Sequence, residues 1–281
     1  MKKSAGRIFF KGFLLSLIFF ALFLGIGILS YQIVMDFFNI ENEAVEVAEI
    51  ITSDKKQSII TEARLDDVSK HLIFCVDEDD GSIKKLLLEI FNCHSNKMYY
   101  FTIPIKTRFT LSSSLHKELV LVKPSIPQFL KLSAITTYIQ DDTAYEYSVL
   151  MIEDLLDISI SYYSVVPQSI YDSVFTTEKI GLIKDSNDIS DKYPREIFSQ
   201  DFIEFLGTIK TESELRKYIE EIYGKIKSNL KFEDKLNYME SYLNTAGENI
   251  YFEVIAGKDS NSEYTVDKEA AKKQVEACLG E

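Results

Sequence analysis

The first feature of the chain is an uncharged, apolar run near its N-terminus. No charged residue occurs between Lys11 and Asp36, and Phe, Leu and Ile dominate this stretch. At about 1.5 Å per residue, a helix of this length would cross a hydrocarbon core of about 30 Å. A buried core helix would not need so many uninterrupted apolar positions. The pattern therefore predicts one transmembrane helix over residues 12–35.

The charges on either side of this run indicate its orientation. Basic residues alone precede it, and acidic residues alone follow it between residues 36 and 49. Positive charge before a span is typical of the cytoplasmic side, so residues 1–11 are predicted to be cytoplasmic and the chain after residue 35 extracytoplasmic. A cleaved signal peptide is the alternative, but the run is long for one and continues into YQIVMDFF, not into a small-x-small cleavage site. We therefore expect a single-pass protein of the cell membrane.

The pattern of polar and apolar positions changes at His71. Residues 36–70 are acidic and polar with helical spacing, and they predict a stalk or lead-in helix. From His71 onwards, three apolar runs predict strands, and the short polar turn CHSN joins the last two into a hairpin. Their sequences are HLIFCVD, KLLLEIFN and KMYYFTIP. Because nearly every position in these runs is apolar, both faces of the sheet are expected to be covered.

Helices and strands alternate over the rest of the predicted domain, residues 71–281. Helical spacing over residues 144–157 leads into the strand SISYYSVV, and SIYDSVF predicts a short helix. A long polar loop is predicted from Lys184 to Gln200. Thr211 and Glu214 form a capping-box motif before an amphipathic helix. The last predicted elements are a helix from Phe232 to Leu243, the strand NIYFEVIAG, and a helix from near Asp267 to Gly280. The prediction is an anchor followed by one α/β domain.

The external part of the chain is strongly acidic. Four of the 31 basic residues precede the anchor, which leaves 27 against 44 acidic residues and a formal net charge of −17. Such a surface repels polyanions, so nucleic-acid binding is not expected. An anionic substrate would need a local basic pocket or a divalent ion.

The three cysteines do not form a recognisable motif. Cys75, Cys93 and Cys278 are an odd number with no CxxC spacing, which excludes a disulfide framework and a cysteine metal site. A bridge between Cys75 and Cys93 is one alternative outside the membrane, and buried free thiols are the other, which we favour.

Several motifs occur in an order that is informative. Cys75–Asp77 (CVD) ends the first strand, Thr102–Thr107 (TIPIKT) ends the hairpin, and Ile152–Phe175 reads IEDLLDISISYYSVVPQSIYDSVF. The segments KSNLKFEDKLNYMESYL, NIYFEVIAG and TVDKEAAKKQVEACL follow. These motifs resemble the LytR-CpsA-Psr (LCP) family, membrane-anchored extracytoplasmic proteins of mainly Gram-positive bacteria. The resemblance covers most of residues 71–280 and the predicted anchor.

The resemblance has consequences for fold and function. It implies a three-layer α/β/α domain with a central mixed sheet, an apolar pocket for a polyprenyl chain, and a mouth that holds pyrophosphate and Mg²⁺. Proteins of this family transfer phosphate-linked glycopolymers from a polyprenyl pyrophosphate carrier to peptidoglycan, in the assembly of the cell envelope. Such chemistry uses carboxylates to hold the metal and basic side chains to neutralise the pyrophosphate.

The chain departs from the family pattern where that chemistry would occur. Counting back from Pro104, the Asp-Thr that opens the hairpin in the family falls on Lys84 and Lys85, and the Arg-Asp after the proline becomes Ile105 and Lys106. Lysine side chains offer no oxygen ligand, and Mg²⁺ requires oxygen ligands, so the affinity of this site for Mg²⁺ should fall sharply. We therefore expect no cofactor, and Mg²⁺ only if the protein is active.

The remaining candidate site residues are basic side chains and turn carboxylates. The candidates for binding lipid pyrophosphate are Lys84, Lys106, Arg108 and Lys131, and the candidates for holding a metal are Asp77 and Asp80. Each also fits the alternative of a solvated surface residue, because strand ends and turns commonly carry charged side chains. The three histidines share no ligand spacing and are assigned no role. Tyrosines 99, 100, 162 and 163 fit a core or a pocket wall.

Three hypotheses follow. The first, which we favour, is a catalytically degraded LCP-like protein that binds a polyprenyl pyrophosphate lipid or a protein partner during envelope assembly. The second is a divergent but active phosphotransferase that uses Asp77, with Asp79 or Asp80, and Lys106. The third is a structural, membrane-tethered domain whose pocket has closed.

Overall fold

The computed structural model describes residues 62–181, 192–260 and 262–279. The predicted cytoplasmic segment and transmembrane helix lie outside these residues, as does most of the predicted stalk. Within the described ranges, no helix combines the length and apolar character needed to span a membrane. Residues 62–67 lie outside regular secondary structure, and the first strand begins at Val68, before the predicted domain start at His71.

The described residues form strands and helices in alternation. The strands are β1 (Val68–Val76), β2 (Ile83–Asn92), β3 (Lys97–Ile103), β4 (Thr107–Thr110), β5 (Phe129–Lys131), β6 (Tyr162–Pro167), β7 (Phe175–Gly181), β8 (Lys192–Phe198), β9 (Lys227–Ser228), β10 (Ile250–Val254), β11 (Gly257–Ser260) and β12 (Glu263–Val266). The helices are α1 (Ser113–Val122), α2 (Ile135–Tyr138), α3 (Thr143–Leu156), α4 (Gln168–Val174), α5 (Gln200–Leu206), α6 (Glu212–Tyr223), α7 (Phe232–Lys235), α8 (Met239–Asn244) and α9 (Lys268–Leu279).

The main sheet has six strands in the order β10-β3-β2-β1-β6-β9. β1 pairs with β6 and β3 pairs with β10 in parallel, while the other neighbours are antiparallel. The predicted hairpin is confirmed as β2 and β3, and its turn places Asn96 at a φ of 50°, a left-handed conformation that asparagine tolerates. The sheet is therefore mixed, as predicted.

Both faces of this sheet are buried, because successive side chains of a strand point to opposite faces. Leu72 and Phe74 pack with α3 and α9 on one face. Ile73 and Cys75 point to the other face, toward Tyr171 of α4 and the α7–α8 region. The second face, which we call the cavity face, carries the candidate site. The prediction that helices cover both faces is confirmed.

Two smaller sheets are not part of the strand pairing of the main sheet. One has the order β11-β12-β4-β5, and the other pairs β7 with β8 in antiparallel fashion. The predicted polar loop from Lys184 to Gln200 is therefore wrong over Lys192–Phe198, which is β8. Glu196 obscured the alternating pattern, since it is charged and yet nearly buried. It is retained in the strand by hydrogen bonds from Thr177 and Lys85.

The predicted helices have mixed outcomes. The helix over 144–157 is confirmed as α3, which ends at Asp157 with a φ of 54°. The capping box is present at the start of α6. The predicted helix from Phe232 to Leu243 is instead interrupted, because a 3₁₀ turn separates α7 from α8. The three cysteines are free thiols, and Cys75 and Cys278 are buried.

Candidate functional site

A cavity of about 420 Å³ lies between the cavity face of the main sheet and the helices that cover it. Sites for small organic ligands commonly have volumes of about 300–1,000 Å³. Strands β1, β2, β3 and β6 form its floor, and helices α4 to α8 contribute most of the remaining wall. Apolar side chains dominate the lining, among them Ile73, Met98, Val166, Phe198, Ile219 and Ile222.

Helix α6 supplies one wall of the cavity through its apolar stripe. Leu215, Ile219 and Ile222 recur at helical spacing and all line the cavity. The capping box fixes the start of this helix: the backbone N–H of Glu214 donates to Thr211 Oγ1 at 3.3 Å, and the N–H of Thr211 donates to Glu214 Oε2 at 3.0 Å. The sequence thus determines both the face and the first turn of the wall.

One part of the cavity wall is polar. His71 Nε2 lies 2.9 Å from Ser164 Oγ, and His71 Nδ1 lies 3.3 Å from Glu89 Oε1. The Tyr100 hydroxyl donates to Glu89 Oε2 at 2.9 Å. All four residues line the cavity. The buried carboxylate is therefore hydrogen-bonded at both oxygens, as a buried charge requires.

Lys235 brings a buried positive charge to the same cavity. Its Nζ donates to the hydroxyl of Tyr162 at 2.7 Å and to that of Tyr242 at 2.5 Å. The ring centroids of Tyr162, Tyr238 and Tyr242 lie 5.0, 5.7 and 4.9 Å from Nζ. The ammonium group is thus enclosed by aromatic rings, an arrangement that favours a cation.

The protonation states of this polar group follow from its burial. Burial lowers the pKa of His71, so the ring is neutral at neutral pH. Burial would raise the pKa of Glu89, but the charge of Lys235 and the hydrogen bond from His71 outweigh it and bring that pKa to about 2. Burial also lowers the pKa of Lys235, against the attraction of Glu89. The cavity therefore holds a carboxylate beside a neutral imidazole.

A second polar group centres on Lys85, next to the cavity wall. Lys85 Nζ lies 3.3 Å from Asp172 Oδ1, 3.2 Å from Glu196 Oε2 and 3.2 Å from Thr177 Oγ1. The same nitrogen is 5.2 Å from the ring centroid of Tyr171, which lines the cavity. Two carboxylates surround one ammonium group, so this cluster has no positive charge left for an anionic ligand.

The four predicted pyrophosphate-binding residues lie elsewhere. Lys84 pairs with Asp77, with 3.1 Å between Nζ and Oδ2. The pairing of β1 and β2 shifts register between Cys75 and Val76: Cys75 pairs with Lys85 and Val76 with Ile83, so Lys84 is skipped. As a result, the side chain on the cavity face is that of Lys85 and not that of Lys84.

Arg108 and Lys131 lie on the small sheet of β11, β12, β4 and β5, and Lys106 directly precedes β4. Lys106 forms an ion pair with Asp259, and Arg108 forms one with Glu263. The partners of these three basic residues all lie on or beside the β11–β12 hairpin, since Lys131 Nζ donates to the carbonyl oxygen of Ser262 at 3.2 Å. Among the described residues, the lining of the cavity includes none of the four predicted basic side chains.

The two predicted metal ligands are engaged in a turn. Asp77 Oδ1 accepts from the N–H groups of Asp79 and Asp80 at 2.9 and 3.3 Å, and Asp80 Oδ1 accepts from Ser82 at 2.8 Å. The backbone hydrogen bond from Asp79 lowers the pKa of Asp77, and the hydrogen bonds with Ser82 lower that of Asp80. Within residues 62–181, 192–260 and 262–279, no three His, Cys, Asp or Glu side chains are grouped to hold a metal ion. The donor set does not fit Mg²⁺.

Sequence reasoning missed the polar part of the cavity. Glu89 stands inside the apolar strand KLLLEIFN, and a charge in such a run is a signal that a buried partner exists. His71, at the start of the first predicted strand, was its available partner. Ser164 and Lys235 gave no comparable signal, because they are brought to this place only by strand pairing and helix packing.

Comparisons with known proteins identify the fold. No family model and no curated protein matches the chain. Among solved structures, the crystal structure of B. subtilis TagV, an LCP protein, is 14% identical over 75% of this chain and 95% of its own, with a TM-score of 0.50. The described domain has the LCP fold.

Other solved structures give a similar result. Protein gbs0355 from Streptococcus agalactiae is 13% identical over 75% of this chain and 87% of its own, with a TM-score of 0.51. The LytR-CPS2A-psr family protein YwtF (TagT) with bound octaprenyl pyrophosphate lipid is 12% identical over 81% of this chain and 94% of its own. Its TM-score is 0.44. At these identities the likeness establishes the LCP fold.

Proposed function

We propose that this chain is a divergent LCP protein of the cell envelope that binds the prenyl chain of a polyprenyl pyrophosphate carrier and has lost the ability to transfer a glycopolymer. The observation that carries this proposal is the apolar cavity between the sheet and helices α4 to α8. The family resemblance implies a pocket of this kind in this place. The alternative of a purely structural domain required a filled interior.

The cavity suits a chain of apolar carbon. Removing apolar surface from water contributes about 25 cal/mol per Å² to binding. Branched and aromatic side chains such as Ile73, Val166, Phe198 and Ile219 present such surface to a ligand. Binding through the prenyl chain does not need the pyrophosphate contacts of an active enzyme.

The pairing of the predicted basic residues argues against transfer. Lys84, Lys106 and Arg108 are each paired with a carboxylate of this chain. A pyrophosphate would have to displace those carboxylates, and no oriented metal would stabilise the charge on the leaving group. The rival hypothesis of an active phosphotransferase uses Asp77 and Lys106, and both are engaged in other contacts.

The location of the protein is part of the same proposal. The apolar run over residues 12–35 would anchor the chain in the cell membrane, with the LCP domain on the outer side. There it would meet a lipid-linked glycopolymer and peptidoglycan. A protein partner in envelope assembly would reach the same domain.

The test is lipid binding by the full chain in detergent micelles or nanodiscs. We expect a polyprenyl pyrophosphate to bind, and Ile219→Trp to weaken binding at least about tenfold because it fills the cavity. The matched control is Ile203→Trp, since Ile203 is 50% exposed and does not line the cavity. Failure of the wild-type chain to bind would refute the proposal.

The same preparation tests the loss of catalysis. We expect no phosphate release from the lipid with or without Mg²⁺. Mg²⁺-dependent turnover that disappears in Asp77→Ala would instead establish the active phosphotransferase.

A further inference from the structure

Three side chains in the cavity wall form a relay that the lipid-binding proposal does not use. Ser164 Oγ lies 2.9 Å from His71 Nε2, and His71 Nδ1 lies 3.3 Å from Glu89 Oε1. This is the order of nucleophile, base and carboxylate found in serine hydrolases, which is recognised by geometry and not by fold. We propose that the cavity is also an esterase site, in which Ser164 attacks the carbonyl group of a lipophilic ester.

The fold holds this relay on three adjacent strands. In the sheet, His71 of β1 pairs with Glu89 of β2 on one side and with Tyr162 of β6 on the other. Ser164 lies two residues beyond Tyr162, so its side chain points to the same cavity face. The rings of His71 and Tyr162 stack with 4.2 Å between centroids and 21° between planes, which fixes the imidazole.

The relay is buried but reaches the cavity. Ser164, His71 and Glu89 are 2%, 8% and 6% exposed, and all three line the cavity. A ligand that occupies the cavity would therefore contact Ser164 Oγ. Tyr100 holds the second oxygen of Glu89, so Tyr100 and Glu89 are positioning residues for the imidazole.

The hydrogen-bond donors can be assigned from the chemistry of the groups. An ionised Glu89 only accepts hydrogen bonds, so His71 Nδ1 must carry the proton that is shared between them. His71 Nε2 is then the acceptor for the Ser164 hydroxyl proton. This is the tautomer that a general base requires, and burial keeps the ring neutral by lowering its pKa.

The reaction balances with water as the only co-reactant. Ser164 Oγ forms a bond to the carbonyl carbon while its proton moves to His71 Nε2. The bond from carbon to the alkoxy oxygen then breaks, and the departing alcohol takes that proton. Water releases the acyl group from Ser164 by the same route, so an ester and water give a carboxylic acid and an alcohol. The ammonium group of Lys235 lines the same cavity, and its positive charge acts on both Glu89 and His71.

The cavity also indicates the class of substrate. The charges of Glu89 and Lys235 offset each other, and the rest of the wall is mainly apolar. A neutral ester with an aliphatic acyl chain fits these surroundings better than an anion does. This activity requires the cavity but not a prenyl lipid, so either proposal can fail without the other.

The experiment uses the full chain with an alkyl fluorophosphonate, which labels activated serines, and with p-nitrophenyl esters of increasing chain length. We expect the probe to add to Ser164, as shown by intact mass and peptide mapping, and longer esters to be hydrolysed faster. Ser164→Ala should abolish labelling and hydrolysis. Glu89→Gln keeps the shape of the side chain, and it should slow both by about 100- to 10,000-fold through loss of general-base catalysis.

A matched serine separates a reactive hydroxyl from a merely buried one. Ser148 is fully buried on the opposite face of the sheet, where its Oγ donates to the carbonyl oxygen of Ala144 at 2.7 Å. Ser148→Ala should leave labelling unchanged. Prenyl lipid binding, measured in parallel, should be weakened at least about tenfold in Ile219→Trp and unchanged in Ile203→Trp. A wild-type chain that is folded by circular dichroism but takes no label at Ser164 would overturn the proposal.

Discussion

His71 and Glu89 are polar residues placed opposite each other in strands that are otherwise mainly apolar. A buried polar group without a hydrogen-bond partner lowers the free energy of unfolding by about 1–3 kcal/mol. His71 and Glu89 avoid this penalty by hydrogen-bonding to each other. Lys235 extends the same dependence, because it is the largest favourable influence on the Glu89 carboxylate. The polar group is therefore a single unit in which loss of one member leaves another unsatisfied.

This unit should make the stability of the domain depend on pH. The pKa of His71 is lowered from 6.5 in the folded chain, so the unfolded chain binds the proton first and stability falls as pH drops below about 6.5. The pKa of Glu89 is lowered from 4.5 to about 2, so its contribution is present above 4.5 and is lost as pH falls toward 2. Both shifts act in the same direction. Glu89, Tyr162, Ser164 and Lys235 are the groups that face His71 or act on its charge.

The measurement is thermal unfolding of the full chain between neutral pH and about pH 5, the range in which a histidine titrates. We expect the wild-type midpoint to fall over this interval and the midpoint of His71→Gln to fall less, although the variant starts lower. His94→Gln is the control, since this histidine is exposed on the hairpin turn and pairs with Asp67 at the surface. An equal slope in wild type and His71→Gln would contradict the assignment.

The hairpin of β11 and β12 has no room for a side chain at Gly257. A Cβ atom at Gly257 would lie 2.5 Å from the carbonyl oxygen of Thr265 and 2.6 Å from the ring of Tyr264. Both neighbours are firmly placed, because Tyr264 is buried and Thr265 pairs with β4 and β11. The hairpin therefore has to shift if any other residue replaces this glycine.

Gly257→Ala should destabilise the domain by about 1–3 kcal/mol, the usual cost of overpacking. Gly247→Ala is the matched control, because a Cβ at Gly247 would meet nothing within 4 Å. Chemical denaturation of both variants measures the difference in free energy of unfolding. Equal stability of the two variants would show that the hairpin accommodates the methyl group.

The sequence predicts elements best where local pattern decides the structure. Strands β1 to β3 are continuous apolar runs joined by a polar turn, and α6 begins at its capping box. Strand β8 was not predicted, because Arg195 and Glu196 make its composition polar while cross-strand and side-chain bonds hold it in place. The small sheet was also missed, since it joins β4 and β5 to strands far along the chain.

The candidate site divides in the same way. That Glu89 has a buried partner could be inferred from its apolar neighbours, whereas the contact between His71 and Ser164 joins residues 93 positions apart. The side chain of Lys85, and not that of Lys84, lies on the cavity face because of a register shift between β1 and β2. Such a shift is set by the turn geometry and not by composition.

At the scale of the whole molecule, charge should control access of an anionic lipid. The part of the chain after the predicted anchor has a formal net charge of −17. Lys106 and Arg108 at the small sheet are paired with carboxylates, so they add no uncompensated positive charge that would attract an anionic lipid. A polyprenyl pyrophosphate would therefore approach against electrostatic repulsion, while a neutral polyprenol would not.

Raising the ionic strength should consequently speed the association of a polyprenyl pyrophosphate with the full chain. The screening length falls from about 30 Å at 0.01 M to about 8 Å at 0.15 M, so we expect at least about a threefold rise in the association rate over that range. Stopped-flow fluorescence with a labelled prenyl lipid in nanodiscs of neutral lipid measures the rate. The matching polyprenol is the control, and its rate should stay constant. A rate for the pyrophosphate that falls with salt would mean that uncompensated cations attract it, and the proposed loss of the pyrophosphate site would then be wrong.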